Sequence, residues 1–318
     1  MYDNLPSYFG RKYGIFCGSL PDIIAVMAGI KPLTRLSFFA KGESYSRFIK
    51  FVEKHGLLAQ ESQYRQNADF EGKKKISLKN NNRDILRHIY LSKSMKTLDF
   101  YRFADPDLCL GENNRPPKNI LAPLQKFSND LGYPDCCTKI YLKNGQRKKI
   151  YSYSRSARGN RAPFYMNNFL HSISNYYLSF HSPCSFTCKK TKAYNKKIFD
   201  AIRELEPEFA ARMRQVLTMP MIIWFNKSDF PFDDRIVVLF DGFYKDGAIS
   251  YSKCFILRTS YPNNKSFSKE IGQDLIFLKD GDKIKNAEHE IYVYKRKKLI
   301  HIVKRRHAFD GLLFRFYA

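Results

Sequence analysis

The segment His181-Ser-Pro-Cys-Ser-Phe-Thr-Cys188 places two cysteines four residues apart, directly after a proline. A second segment, Leu131-Gly-Tyr-Pro-Asp-Cys-Cys-Thr138, places two adjacent cysteines shortly after another proline. Glycine just past the last turn and proline near the first turn mark the ends of helices. We therefore predict that one helix ends at Gly132 and that helices follow at Cys136–Leu142 and from about Ser185 to Leu205. Each of these two helices has a cysteine pair at its start.

The two cysteine pairs predict a single thiolate site. Cysteines four residues apart on one helix share a face, and the unpaired amides at a helix start lower the pKa of a thiol. From Cys136 to Phe199 the chain has no Asp or Glu but thirteen Lys and Arg, and nearby cations also favour the thiolate. If the two helix starts converge, three or four thiolates suit zinc or an iron–sulfur cluster. The candidate ligands are Cys136, Cys137, Cys184 and Cys188, with His181 as a fifth.

This site leads to the first functional hypothesis, a metal-binding protein in which an iron–sulfur cluster is preferred over zinc. One role open to such a protein is that of a redox or sulfur-chemistry enzyme acting on an anionic substrate, and Arg155, Arg158 and Lys189 are candidates for attracting that substrate. Four thiolates on zinc would form a closed structural site, whereas three would leave a position open for chemistry. The alternatives are a metal-free thiol enzyme and a basic nucleic-acid-binding or partner-binding protein whose cysteines only stabilise the fold.

The composition is that of a folded protein with an anionic partner. The 318 residues suffice for one large domain or two ordinary ones, and 44% of them are hydrophobic. The net charge of +25 indicates nucleic acid or an anionic substrate as the partner, unless it reflects only a lysine-rich composition. Nothing in the sequence indicates an oligomeric state.

The chain carries no sign of secretion or membrane insertion. Asp3 comes early, and no apolar stretch of signal-peptide length follows it. Stretches such as Ile23–Ile30 and Pro220–Phe225 are too short to span a bilayer. Seven cysteines, an odd number, are not typical of a secreted disulfide framework. We therefore expect a cytoplasmic protein without a membrane partner.

The residue patterns predict an α+β fold, with an α-rich N-terminal two-thirds followed by an antiparallel β meander or small barrel. Three regions are expected: a helical region 1–118 with polar loops, a cysteine-motif helical core 119–218 and a β-rich domain 219–318. The further predicted helices are Asp22–Gly29, Tyr45–His55, Asp84–Leu91, Thr97–Phe103, Ile120–Leu131, Phe164–Tyr177 and Pro207 to about Leu217. The predicted strands are Lys75–Leu78, Met221–Phe225, Arg235–Asp241, Ala248–Arg258, Asp274–Lys279, Glu290–Tyr294, Leu299–Lys304 and Leu312–Phe316.

Two basic segments bear on the nucleic-acid alternative. Gln146–Arg161 interleaves Tyr151 and Tyr153 with arginines, a composition that suits stacking on single-stranded nucleic acid. Tyr294-Lys-Arg-Lys-Lys298 has the pattern of a basic hairpin tip. The other interpretation of both segments is solvated surface.

The cysteine motifs also resemble those of a known family. Gly132-Tyr-Pro-Asp-Cys-Cys137, His181-Ser-Pro-Cys-Ser-Phe-Thr-Cys188 and the closing Gly311-Leu-Leu-Phe are similar to an uncharacterised prokaryotic family, a domain of unknown function with Gly-Tyr-Pro-x-Cys-Cys and His-x-Pro-Cys-x-x-x-Cys motifs. The resemblance runs over residues 120–318. It implies that the four cysteines and His181 form one site, and it implies no particular reaction. Gln146–Arg161 departs from the family pattern.

Overall fold

Helices and strands are interspersed along the chain. The structure is a computed structural model and describes residues 20–38, 43–67, 85–103, 121–143, 162–171, 174, 176–181, 183–225, 235–258, 271–305 and 311–318. The helices are α1 (Leu20–Met27), α2 (Glu43–Lys54), α3 (Met95–Phe103), α4 (Leu121–Asp130), α5 (135–143), α6 (Lys189–Leu205), α7 (Pro207–Thr218) and α8 (Gly272–Asp280). The strands are β1 (Leu33–Phe38), β2 (Leu58–Asn67), β3 (Ile85–Ser92), β4 (Ala162–Pro163), β5 (Met221–Phe225), β6 (Arg235–Lys245), β7 (Ala248–Arg258), β8 (Lys283–Asn286), β9 (Glu290–Lys295), β10 (Lys298–Lys304), β11 (Leu312–Phe314) and β12 (Phe316–Tyr317).

Most strands belong to two antiparallel sheets. β1, β3 and β2 form a three-stranded sheet in that order. The large sheet has seven strands in the order β10-β9-β8-β7-β6-β5-β11, so that β5 to β10 follow one another in space as they do in sequence. β12 pairs in parallel with β4 and thereby fixes the end of the chain beside residue 162.

The predicted fold class is wrong, because the N-terminal two-thirds are not predominantly helical. Helices are spread through the chain, and β1, β2 and β3 form a sheet within the first hundred residues. Asp84–Leu91 was predicted as a helix, but Ile85–Ser92 is the central strand β3. Ile89, Tyr90 and Leu91 are all buried there, and a strand covered on both faces carries a continuous apolar run that periodicity alone cannot distinguish from a helix.

The opposite error occurs in the C-terminal third. Asp274–Lys279 was predicted as a strand, but it lies in helix α8. Leu275 and Leu278 are buried because their spacing of three residues places them on one face of that helix, against the large sheet. The predicted strand Lys75–Leu78 lies outside the described residues.

The large sheet is covered on its two faces by different elements. On one face Ile223, Val237 and Leu239 join the main core, which also contains buried residues of α1, α6 and α7. On the other face Ile249, Ile284 and other residues form a second core beneath α8. A third cluster, which includes Tyr90 and Tyr101, joins the three-stranded sheet to α3 and α4. Within the described residues, no helix combines the length and hydrophobicity needed to cross a bilayer.

Candidate metal centre

The turn between α4 and α5 brings the first cysteine pair to the site. Gly132 ends α4 with φ of 76°, in the left-handed region that glycine adopts without steric cost. A Cβ atom at Gly132 would lie 2.9 Å from the Cβ of Lys31 and 3.2 Å from the hydroxyl of Tyr194, so a larger residue would also clash. The carbonyl of Pro134 accepts hydrogen bonds from the amides of Cys137 and Thr138 and so opens α5. The predicted helix end and helix start are confirmed here.

The second pair lies before α6 and at its N-cap, not along the helix. The prediction that Cys184 and Cys188 share a helical face is wrong, because α6 begins at Lys189 and Cys188 is its N-cap. The sulfur of Cys188 accepts from the amide of Thr191 at 3.5 Å, as an N-cap side chain does. Cys184 lies in the irregular segment that precedes the helix.

Farther back along the chain, asparagine side chains replace helical hydrogen bonds at residues 167–169. Phe164–Tyr177 was predicted as a helix, but among the described residues of this range the helical part is the 3₁₀ turn Phe164–Met166. The side chain of Asn167 accepts from the amide of Phe169 and donates to the carbonyl of Leu217. Such local side-chain bonds compete with a helix. Asn168 Nδ2 donates to the carbonyl of His181 (3.2 Å) and so holds the chain just before the cysteines.

The four cysteine sulfurs form one compact cluster. The Sγ atoms of Cys136 and Cys188 are 3.7 Å apart, those of Cys137 and Cys188 are 3.8 Å apart, and those of Cys136 and Cys137 are 3.9 Å apart. With Cys184 included, all four lie within 4.8 Å of one another. All four are free thiols. The predicted convergence of the two cysteine pairs is confirmed, and the cluster is close enough to bind a metal.

Several hydrogen-bond donors point at the sulfurs. The amide of Cys184 donates to Cys137 Sγ at 3.3 Å, in addition to the bond from Thr191 to Cys188. The hydroxyl of Thr191 lies 3.2 Å from Cys137 Sγ and 3.1 Å from Nε2 of His181. Thr191 is fully buried, so its hydroxyl links the thiol cluster to the histidine ring without intervening solvent. Donors of this kind orient metal ligands and stabilise thiolate charge.

Burial and mutual proximity oppose ionisation of two of these thiols, Cys137 and Cys184. Burial raises the pKa of Cys137, and burial followed by interactions with Cys188 raises the pKa of Cys184 to about 11. Burial also acts to raise the pKa of Cys188, but hydrogen bonds with Thr191 and with the thiols of Cys184 and Cys136 outweigh it and lower that pKa to about 7. A divalent cation would offset the cost of burying thiolate charge at Cys137 and Cys184.

The other predicted site residues are placed differently. His181 is buried and contacts the cluster through Thr191, while its ring lies 5.0 Å from that of Tyr133. Lys189 follows Cys188 directly, and its side chain is exposed. Arg155 and Arg158 lie outside the described residues.

Sequence reasoning missed Thr191. Its position three residues after Cys188 is the signal that was available, because the third helical residue is where an N-cap side chain accepts an amide hydrogen. Recognising Cys188 as the cap would have placed the amide and hydroxyl of Thr191 beside the sulfurs. That requires knowing where α6 begins, and Pro183 suggested a start several residues too early.

Comparison of the chain with protein-family models, with curated proteins and with solved structures gave no match. The resemblance to the family with two cysteine motifs therefore stays a prediction.

Proposed function

We propose that the protein binds a single zinc ion through Cys136, Cys137, Cys184 and Cys188, and that this ion stabilises the junction of α5 and α6. The spacing of the sulfurs carries the proposal. A zinc–sulfur bond of about 2.3 Å in a tetrahedral site places neighbouring sulfurs about 3.8 Å apart. Three of the separations are 3.7, 3.8 and 3.9 Å, so a central ion needs little rearrangement.

The same spacing favours one ion over the iron–sulfur cluster preferred from the sequence. A cluster of two or four irons holds its cysteines on different metal atoms, so at least some of the four sulfurs stand farther apart than they do around one ion. All four sulfurs here lie within 4.8 Å. Four thiolates complete the tetrahedral coordination of zinc and leave no position for water or substrate, which is typical of a structural site. An enzymatic role for the metal therefore has no support in this arrangement.

Metal analysis of the purified protein tests the proposal. We expect about one zinc per chain, no inorganic sulfide and no visible absorption in the wild-type protein. Cys137→Ser removes the most enclosed ligand, and Cys184→Ser removes a half-buried one, so both variants should lose the zinc. Replacing zinc with Co²⁺ should give the visible absorption of tetrahedral thiolate coordination, and the Cys184→Ser variant should not.

A cysteine remote from the cluster supplies the control. Cys254 is buried on β7 in the second core, and its thiol donates to the carbonyl of Leu278 (3.5 Å). Cys254→Ser should retain the full zinc content. Brown protein with iron and sulfide would overturn the single-ion proposal, and so would wild-type protein that takes up no metal when offered zinc under reducing conditions.

A further inference from the structure

Part of the large sheet has a face whose side chains are exposed or half-buried and whose composition is unusual. Strands β6 to β10 carry aromatic rings and lysines on the face opposite α8. We call the surface formed by Phe243, Lys283, Lys285, Tyr292 and Tyr294 the open face. Phe243 is 63% exposed, both lysines are exposed and both tyrosines are half-buried. This face lies outside the zinc site, and the zinc proposal does not account for it.

Strand register shows that these side chains form an ordered row. Leu299 is paired with Tyr294, Tyr294 with Lys283, Lys283 with Ser250, and Ser250 with Phe243. Directly paired residues of antiparallel strands point to the same face. Adjacent strands are about 4.8 Å apart, so Tyr294 and Phe243 lie roughly 14 Å apart with an ammonium group between them.

A second row runs parallel to the first. Ile302 is paired with Tyr292, Tyr292 with Lys285, Lys285 with Ala248, and Ala248 with Lys245. Lys245 and Ile302 are exposed. The first row therefore presents two aromatic rings and one cation, the second presents one ring and two cations, and each has an aliphatic residue at the β10 edge.

The opposite face of the same strands shows that this pattern is not a core. Ile249, Ile284 and Val293 alternate with the open-face residues and are fully buried under α8. An antiparallel sheet with one solvated face normally alternates apolar residues inward with polar residues outward. The outward positions of β6 to β10 instead include Phe243, Leu299 and Ile302 among the lysines.

The β9–β10 turn extends the positive charge beyond the open face. Its two central residues, Arg296 and Lys297, have φ values of 48° and 68°. This turn normally takes Asn-Gly, because bulky residues are strained in the left-handed region. Despite this strain, the turn carries four consecutive cations at its tip. The exposed cations are Lys295, Arg296, Lys297 and Lys298.

Three carboxylates near this surface are already engaged in the fold. Glu290 accepts a hydrogen bond from the hydroxyl of Tyr292 (2.7 Å) and is paired across the strands with Lys304. Asp282 accepts from the backbone amide of Arg296 (2.7 Å), and Asp280 pairs with Lys295. Most of the basic side chains on the open face and the tip keep their charge available to a ligand.

We propose that the open face and the β9–β10 tip bind single-stranded nucleic acid. Flat rings on a solvated surface provide stacking sites for unpaired bases, and lysines between them provide contacts to phosphate. An acidic polypeptide would satisfy the lysines but would leave the exposed rings without bases to stack on. Double-stranded nucleic acid offers no unstacked bases to these rings. The two features together therefore favour single strands.

Fluorescence anisotropy with the complete, zinc-loaded protein tests the proposal. The probes are labelled oligothymidine and oligouridine of about 20 nucleotides, longer than the roughly 4–16 nucleotides that a single-strand-binding domain covers. Phe243→Ala and Tyr294→Ala should each weaken binding roughly 5- to 150-fold. Lys283→Gln combined with Lys285→Gln should reduce the slope of log affinity against log salt by about 1.4, because each lost phosphate contact removes about 0.7.

Matched variants on other surfaces distinguish binding at the open face from nonspecific attraction to a positively charged protein. Phe180→Ala removes another exposed ring, and Lys192→Gln with Lys197→Gln removes two exposed charges on α6. Both controls should bind as the wild type does. Absence of binding at low salt would overturn the proposal. Affinity for duplex DNA or for polyglutamate equal to that for the single strands would also overturn it. So would an affinity that falls in the control variants but not in the open-face variants.

Discussion

At the residue scale, Thr191 is the side chain whose role at the metal site can be isolated most cleanly. Its hydroxyl contacts Cys137 Sγ and His181 Nε2, and it has no exposed surface. Thr191→Val keeps the shape and removes the hydroxyl. We expect zinc affinity to fall roughly 10- to 100-fold, as it does when an outer partner of a metal ligand is lost. Titration against a zinc chelator of known affinity measures the change.

The control for this prediction is the nearby exposed Thr187. Its hydroxyl lies 3.1 Å from that of Ser185 and faces solvent. Thr187→Val should leave zinc affinity unchanged. If Thr191→Val binds zinc as tightly as the wild type, the hydroxyl does not support the thiolates and only fills space.

The site residues were predictable where the signal lies in neighbouring residues of the sequence. Two cysteine pairs beside Pro134 and Pro183, in a stretch without carboxylates, indicated a thiolate site, and their sulfurs converge. The contribution of Thr191 was not predictable, because it depends on which cysteine caps α6. His181 contacts Thr191, which in turn contacts the sulfurs. The position of His181 depends on a hydrogen bond from the side chain of Asn168, 13 residues earlier, to the carbonyl of His181.

At the element scale, Gly242 is critical for the hairpin that carries part of the open face. The register of the β6–β7 pair shifts between Asp241 and Gly242, at a β-bulge. A Cβ atom at Gly242 would lie 2.0 Å from the carbonyl oxygen of Ser250 and 2.7 Å from the Cα of Tyr251. Both are backbone atoms and cannot rotate away. Gly242→Ala should therefore lower the free energy of unfolding by about 1–3 kcal/mol or more, measured by urea denaturation.

Gly272→Ala is the matched control for Gly242→Ala. A Cβ atom there meets nothing within 4 Å, and the residue begins helix α8, where alanine is favoured. We expect it to be neutral or stabilising by up to about 1 kcal/mol. Similar stabilities for the two variants would show that the β6–β7 bulge relaxes easily, against the prediction.

Helices and strands were predicted correctly where the residues that mark their ends were clear. The prediction failed where burial against other elements determines the conformation. Gly132 and Pro207 marked helix ends correctly, and Met221–Phe225 was correctly predicted as a strand. Ile85–Ser92 and Gly272–Asp280 were misassigned because each is a short apolar run. Their conformation is set by the surfaces against which they pack, and this information lies outside the run itself.

At the scale of the whole molecule, the proposed zinc ion acts as a cross-link. Cys137 and Cys188 are separated by 51 residues in sequence, and the main core contains both of them together with residues from α1 to β12. A bond that closes a long loop lowers the entropy of the unfolded chain. A ligand bound only by the folded state also stabilises that state by mass action. The zinc site should therefore contribute to the stability of the entire main core.

Zinc removal should accordingly lower the thermal midpoint of the whole protein. At free zinc 1,000 times its Kd, the ion contributes about 4 kcal/mol. At about 2.1 cal/mol/K of unfolding entropy per residue, this corresponds to a shift of roughly 6 °C in a chain of this size. Calorimetry of protein with zinc and of protein freed of zinc by a chelator, with metal content measured for both, gives the shift. Cys254→Ser should show the same shift, whereas Cys137→Ser should melt at one temperature in both conditions. A wild-type midpoint that does not change when the metal is shown to be gone would mean that hydrophobic packing alone holds α5 against α6.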